Sequence, residues 1–188
     1  MKLEQAKELL AKYVKGETLT RHCVTVSAAM DYWAKLLKED DPEFWACVGM
    51  LHDIDFEQYP DQHCVKAKDI LEAEKANYPV TDEMIHAIQS HGWKICCDVE
   101  PTVPMEKVLY TVDELTGLIF ACAMARPSKS VMDMELKSVT KKFKTRNFAA
   151  GCNRDVIEEG ARMMGRELDD VIWNCILAMR AQHEACGV

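Results

Sequence analysis

An all-helical fold is predicted, and three observations predict it. Apolar residues recur with a helical period along most of the chain. The short apolar–polar alternations of half-buried strands are missing. Capping residues fall where helices of ordinary length would begin and end. In order, the first helix is expected over 2–14, from the amphipathic start Met1-Lys-Leu-Glu-Gln-Ala-Lys-Glu-Leu-Leu. It lacks the apolar stretch of a signal peptide, so a cytoplasmic protein is expected. Further helices are expected at 19–38 and at 42–52, where Pro42 follows Asp41 in a first helical position. A helix at 62–75 is followed by one at 82–90, which Thr81 can cap and Gly92 can close. Those at 104–125, 134–142, 154–164 (N-cap Asn153) and 168–184 complete the set. The last carries one stripe of Leu168, Val171, Ile172, Cys175, Ile176 and Met179.

The 188 residues suit one domain spanning 1–188. The chain is 48% hydrophobic and 29% charged, ordinary for a globular protein, and no apolar run reaches transmembrane length. Its formal charge of −8 argues against a nucleic-acid duplex as partner. Nine cysteines, with Cys96 and Cys97 adjacent and no paired Cys-x-x-Cys motifs, read as reduced thiols, several of them in the core. The balance reverses locally: Arg126, Lys129, Lys137, Lys141, Lys142, Lys144 and Arg146 make 126–146 basic. Such a run is either a solvated face or an anion site.

Two segments are apolar nearly all round and should lie centrally: Phe44–Leu51, and Val108–Ala125, whose only charges are Asp113 and Glu114. The first runs into His52-Asp53. An imidazole and a carboxylate at the end of a core helix cost free energy unless partnered. A divalent cation is one partner, water at a surface helix end another. Asp113 poses the same question, to be answered by a hydroxyl, a basic side chain or a metal. His22 shares a helix face with Val26, Ala29 and Trp33, where a satisfied core histidine is the plainer reading.

Taken together, His22, then His52-Asp53 thirty residues later, then Asp113 after sixty more, resemble the H…HD…D signature of the HD-domain metal-dependent phosphohydrolases. Arg21-His22-Cys23-Val24-Thr25-Val26 resembles that family's first-histidine helix. Met50-Leu-His-Asp-Ile-Asp55 resembles its doublet, and Val108-Leu-Tyr-Thr-Val-Asp113 its last-aspartate helix. The resemblance covers about 18–125, with 134–184 packed on that core. Asp55 departs from it, since many relatives have glycine there.

The resemblance implies an HD-domain bundle with His22, His52, Asp53 and Asp113 as metal ligands. It implies one or two divalent ions (Mn, Fe, Zn, Ni, Co or Mg). In two-metal branches two further histidines ligate, and His63 and His91 match them in position. His86 lies on a different helical face from His91 and is expected outside the site. Two ions about 3.5–4 Å apart, bridged by Asp53, are therefore expected. Asp53 and His91 are the expected catalytic residues. The implied activity is hydrolysis of a small anionic, nucleotide-like phosphate ester by a metal-bound hydroxide, in a monomer or homodimer. A di-iron oxygenase and a non-catalytic metal-binding regulator are the alternatives. Arg126 and Lys129 follow the Asp113 helix and either hold the substrate phosphate or complement the helix C-terminus. His183 is read as a solvated helix-end residue.

Overall fold

The computed structural model describes every residue, 1–188. The N-terminal amphipathic segment forms α1 (Leu3–Tyr13), which packs its buried Ala6, Leu9 and Leu10 on α3. α2 (Glu17–Leu37) and α3 (Pro42–Leu51) form the most extensive helix pair. Asp41 caps α3 by accepting from the Phe44 N–H, and Pro42 occupies its first turn. Every residue from Trp45 to Leu51 is buried, as all-round apolarity requires of a central helix. Then follow α4 (Val65–Glu74), α5 (Asp82–Ser90) and α6 (Pro104–Met124). Thr81 caps α5 through the Met84 N–H. α6 crosses α2 and is backed by α8 (Arg154–Met163), with α7 (Leu136–Phe143) and α9 (Leu168–Ala181) alongside. A four-residue α10 (His183–Cys186) ends the chain against α2. No strand forms beyond an isolated bridge between Trp93 and Cys97, and one continuous apolar core joins all the layers.

The expected helices are all present, with differences at their ends, among them α7, which begins two residues late, at Leu136. α2 begins two residues early, at Glu17. The helix expected from 62 starts at Val65, because Pro60–Gln62 form a 3-10 turn and Cys64 has φ +65°. The last long helix stops at Ala181, before α10. Gly92 does not close α5 in a left-handed conformation. His91 is the α-helical C-cap, and Gly92 is not among the residues with positive φ. Its lack of a side chain matters for space, since an added Cβ would lie 2.5 Å from the sulphurs of both Cys64 and Cys96.

Two helix pairs depend on glycine contacts. At Gly49 of α3, a Cβ would lie 2.9 Å from the Ser27 Cα of α2. At Gly160 of α8, it would lie 2.0 Å from Thr111 Oγ1 and 3.2 Å from Thr111 Cα on α6. Backbone cannot yield as a flexible side chain does. Gly160→Ala is therefore expected to destabilise by about 1–3 kcal/mol through overpacking. A thermal melt should show Tm lowered by several degrees; an unchanged Tm would mean α8 shifts freely.

Candidate metal centre

The sequence positions six chemically able side chains on five separate segments, and the fold brings all six together. His22 lies one and a half turns into α2, on the face that also carries Thr18 and Thr25. His52 and Asp53 continue from the C-terminal end of α3, with His52 in α conformation as its C-cap. His63 follows the 3-10 turn, and His91 caps the C-terminal end of α5. Asp113 is in the middle of α6, in line with Gly117 and Phe120 on the one face of that helix that is not fully buried.

Asp53 stands between two clusters. Its Oδ2 lies 3.6 Å from His22 Nε2 and 3.4 Å from His52 Nε2. Asp113 Oδ1 closes that cluster at 2.9 Å from His22 Nε2 and 3.3 Å from His52 Nε2. The other oxygen of Asp53, Oδ1, lies 3.3 Å from His63 Nε2 and 3.6 Å from His91 Nε2. The donor atoms of His22/His52/Asp53, His52/His91/Asp113 and Asp53/His63/His91 each fall within 4.8 Å of one another, a spacing that could hold a metal ion.

Tautomers sharpen this. His52 Nδ1 faces the Gly49 carbonyl at 2.8 Å, His91 Nδ1 faces the Ile88 carbonyl, and His63 Nδ1 faces Asp55 Oδ1 at 2.8 Å. Carbonyl and carboxylate oxygens only accept, so each Nδ1 carries a hydrogen. In their neutral form these rings aim Nε2 lone pairs inward. His63 Nε2 and His91 Nε2 are only 3.0 Å apart, and His52 Nε2 and His22 Nε2 are 3.2 Å apart. Lone pairs converging at that range, together with two buried carboxylates, repel unless positive charge lies among them. The donor set therefore fits divalent cations of the imidazole-and-carboxylate type.

The titration of the groups has the same cause. Burial opposes a charged His52, but Asp53 and Asp113 outweigh it and raise its pKa well above the ordinary value. Burial likewise opposes a charged His63, and Asp55 and Asp53 raise it. Burial pushes Asp53 and Asp113 up, yet the surrounding imidazoles hold both below the usual carboxylate range. Glu114, half-buried beside Asp113, is pushed up to about 7 by partial desolvation and by the Asp113 charge.

Without metal, the histidine contribution to stability is complete below pH 6.5 or so and is lost as pH rises through the raised values. The carboxylate contribution is present above about pH 4 and is lost as pH falls through the lowered values. The chelator-treated protein is thus expected to lose Tm as pH rises above about 6.5. Ligands must shed protons to bind, so the Tm increment from added Mn²⁺ should grow over the same range. A pH-independent increment would contradict binding at these imidazoles.

Asp55 was the departure in the doublet, and spacing alone did not point to its role. Its carboxylate is fully buried: Oδ1 accepts from His63 Nδ1, and Oδ2 accepts from the Ala67 N–H in the first turn of α4 at 2.8 Å. One side chain thereby sets the ring of His63 and anchors the next helix. The only signal in the sequence was a carboxylate wedged between Ile54 and Phe56. The short 53–63 connection is closed further from outside, where Glu57 accepts from the N–H groups of Lys15 and Gly16.

A cavity of about 660 Å³ opens on the cluster. His22, Asp53, His63, His91 and Asp113 lie on its surface, whereas His52 is fully buried beneath them. His86 is outside it, paired through Nδ1 with Glu106 Oε1 at 2.6 Å and about half exposed. His183 lies in the terminal α10. The nine cysteines are unpaired. Cys64 Sγ sits 3.5 Å from Cys96 Sγ and 3.8 Å from His91 Nε2, and His63, Cys64 and Cys96 form a further grouping that could hold a metal.

Arg126 and Lys129 are not brought to this site. Thirteen residues separate Asp113 from Arg126 along and just past α6, roughly 20 Å of helical rise. Arg126 is bound instead to Asp133 at 2.9 Å, and neither residue lines the cavity. The cation that does line it is Arg21, one residue before His22, whose guanidinium lies 5.1 Å from the Phe120 ring centre. No helix is long and apolar enough to cross a membrane.

The chain matches no protein-family model, no curated protein and no solved structure at a significant level.

Proposed function

We propose that this chain is a metal-dependent phosphohydrolase of the HD-domain type, acting on a small phosphate ester. The observation that carries the reading is Asp53, whose two oxygens face two different histidine sets. His22, His52, Asp53 and Asp113 would hold one ion; Asp53, His63 and His91 would hold the other. Bound divalent ions supply an acidified water and Lewis acidity toward phosphoryl oxygens. The second set has only three protein ligands and lies on the wall of an open cavity. An open coordination position distinguishes a catalytic from a saturated regulatory site.

The chain's own groups do the rest. The Nδ1–H bonds to Gly49, Ile88 and Asp55 fix the tautomer in which, once the rings are neutral, the inward nitrogens are the ones free to ligate. Asp53 keeps the two sets in register. Arg21, which makes no ion pair and lines the same cavity, would hold a phosphoryl oxygen.

Element analysis of the purified protein, followed by phosphatase and phosphodiesterase assays with the metal found, tests the proposal. Mn, Mg, Co, Ni or Zn with phosphate release supports it. An iron pair with oxygen consumption replaces it with oxidation, and a metal-free inactive protein refutes it. In the same assays Arg126→Ala and Lys129→Ala should keep wild-type KM, because their side chains lie outside the cavity. A severalfold KM increase in either would return the basic run to the site.

A further inference from the structure

The walls of the cavity, away from the metal-facing floor, narrow the substrate class. They are built from Leu19, Phe56, Ile95 and Phe120, which come from four separate segments. Phe56 and Ile95 are 43% and 50% exposed, large apolar surface at the mouth of a polar site. Hydrogen-bonding side chains are scarce there. The Thr25 hydroxyl donates to the Arg21 carbonyl and that of Thr116 to the Asp113 carbonyl, which leaves Thr18. No asparagine, glutamine or lysine lines the cavity, so little is present to read the edge of a nucleobase.

Charge sets a second limit. The lining holds the carboxylates of Asp53, Asp113 and Glu114 against the single guanidinium of Arg21. Two divalent ions would bring the balance to about +2. That matches one phosphate dianion and falls short of a nucleoside triphosphate. Arg21 and Phe120, held together as a cation over a ring, present the charged and apolar halves of such a molecule side by side.

We infer that the substrate is a phosphate monoester with a single phosphate on an apolar, aromatic-sized group, gripped by Arg21 at the phosphate and by Phe120, Phe56 and Ile95 at the apolar group. This rests on the metal-hydrolase reading and replaces the nucleotide-like substrate implied by the family resemblance with an apolar one.

The test is calorimetric binding of non-hydrolysable phosphonates to Mn²⁺-loaded protein of measured metal content. Phenylphosphonate is expected to bind about tenfold more tightly than methylphosphonate, the factor given by burying roughly half of a phenyl ring's surface. Phe120→Ala should reduce that ratio to threefold or less. Arg21→Ala should weaken both phosphonates alike. With Mn²⁺ in excess of nucleotide, ATP should bind no more tightly than AMP, and AMP less tightly than phenylphosphonate. Equal affinity for the two phosphonates at normal Mn²⁺ content would overturn the inference and leave the hydrolase reading standing. So would tighter binding of AMP than of phenylphosphonate. Failure to bind any of Mn²⁺, Mg²⁺, Co²⁺, Ni²⁺ or Zn²⁺ would overturn both. Phe120→Leu, which keeps an apolar side chain in place, separates a folding defect from a lost contact: a ratio as low as that of the alanine variant, in a folded protein, would support the aromatic contact.

Discussion

Asp53→Ala is expected to release metal from both positions at once. One carboxylate faces His22 and His52 through Oδ2 and faces His63 and His91 through Oδ1, so a single substitution reaches both sets. Metal content should fall from about two ions per chain to well under one, and phosphatase activity by on the order of 10³-fold or more. The helical fold should survive, because Asp53 sits on the cavity wall rather than inside the apolar core. Elemental analysis beside far-UV circular dichroism reads both parts. Wild-type metal content in a folded Asp53→Ala protein would remove the bridging carboxylate from the centre. Loss of one ion alone would show that Asp53 serves a single set.

Asp55→Ala is expected to separate the two positions. Asp55 touches neither set through a ligand atom; it accepts the Nδ1 hydrogen of His63 and the N–H of Ala67. Outer carboxylates of this kind typically account for 10–100-fold in metal affinity. The second ion should therefore bind 10–100-fold more weakly, with the first near wild type. His63→Ala should lose that ion outright. Asp55→Asn keeps an acceptor for only one of the two N–H groups and should fall between wild type and Asp55→Ala. Titration with Mn²⁺, followed by the number of ions retained after desalting, distinguishes these cases. If Asp55→Ala and His63→Ala both retain two ions at wild-type affinity, His63 is not a ligand and the centre reduces to His22, His52, Asp53 and Asp113.

Much of this was legible in the chain because its signals are local. Periodicity and capping residues act within one or two turns, so the helices appear near their expected bounds. The physical reason is that Asp41, Thr81 and Asn153 satisfy helix-end N–H groups wherever the helix is placed. The cost of burying His52, Asp53 and Asp113 inside apolar segments was equally readable, since it belongs to residue type and context. The pairing of Arg126 was not. Its partner Asp133 comes from the turn after α6, and the distance of Arg126 from the cavity follows from helix length and direction. The sequence by itself determined the all-helical class and the central placement of α3 and α6, and its resemblance to a known signature named the six candidate ligands. Only the tertiary structure decided that Asp53 faces two sets, that Asp55 orients His63, and that Arg21 is the cation at the cavity. Those facts depend on which atoms of distant segments come within 3–4 Å, and helical periodicity carries no information at that range.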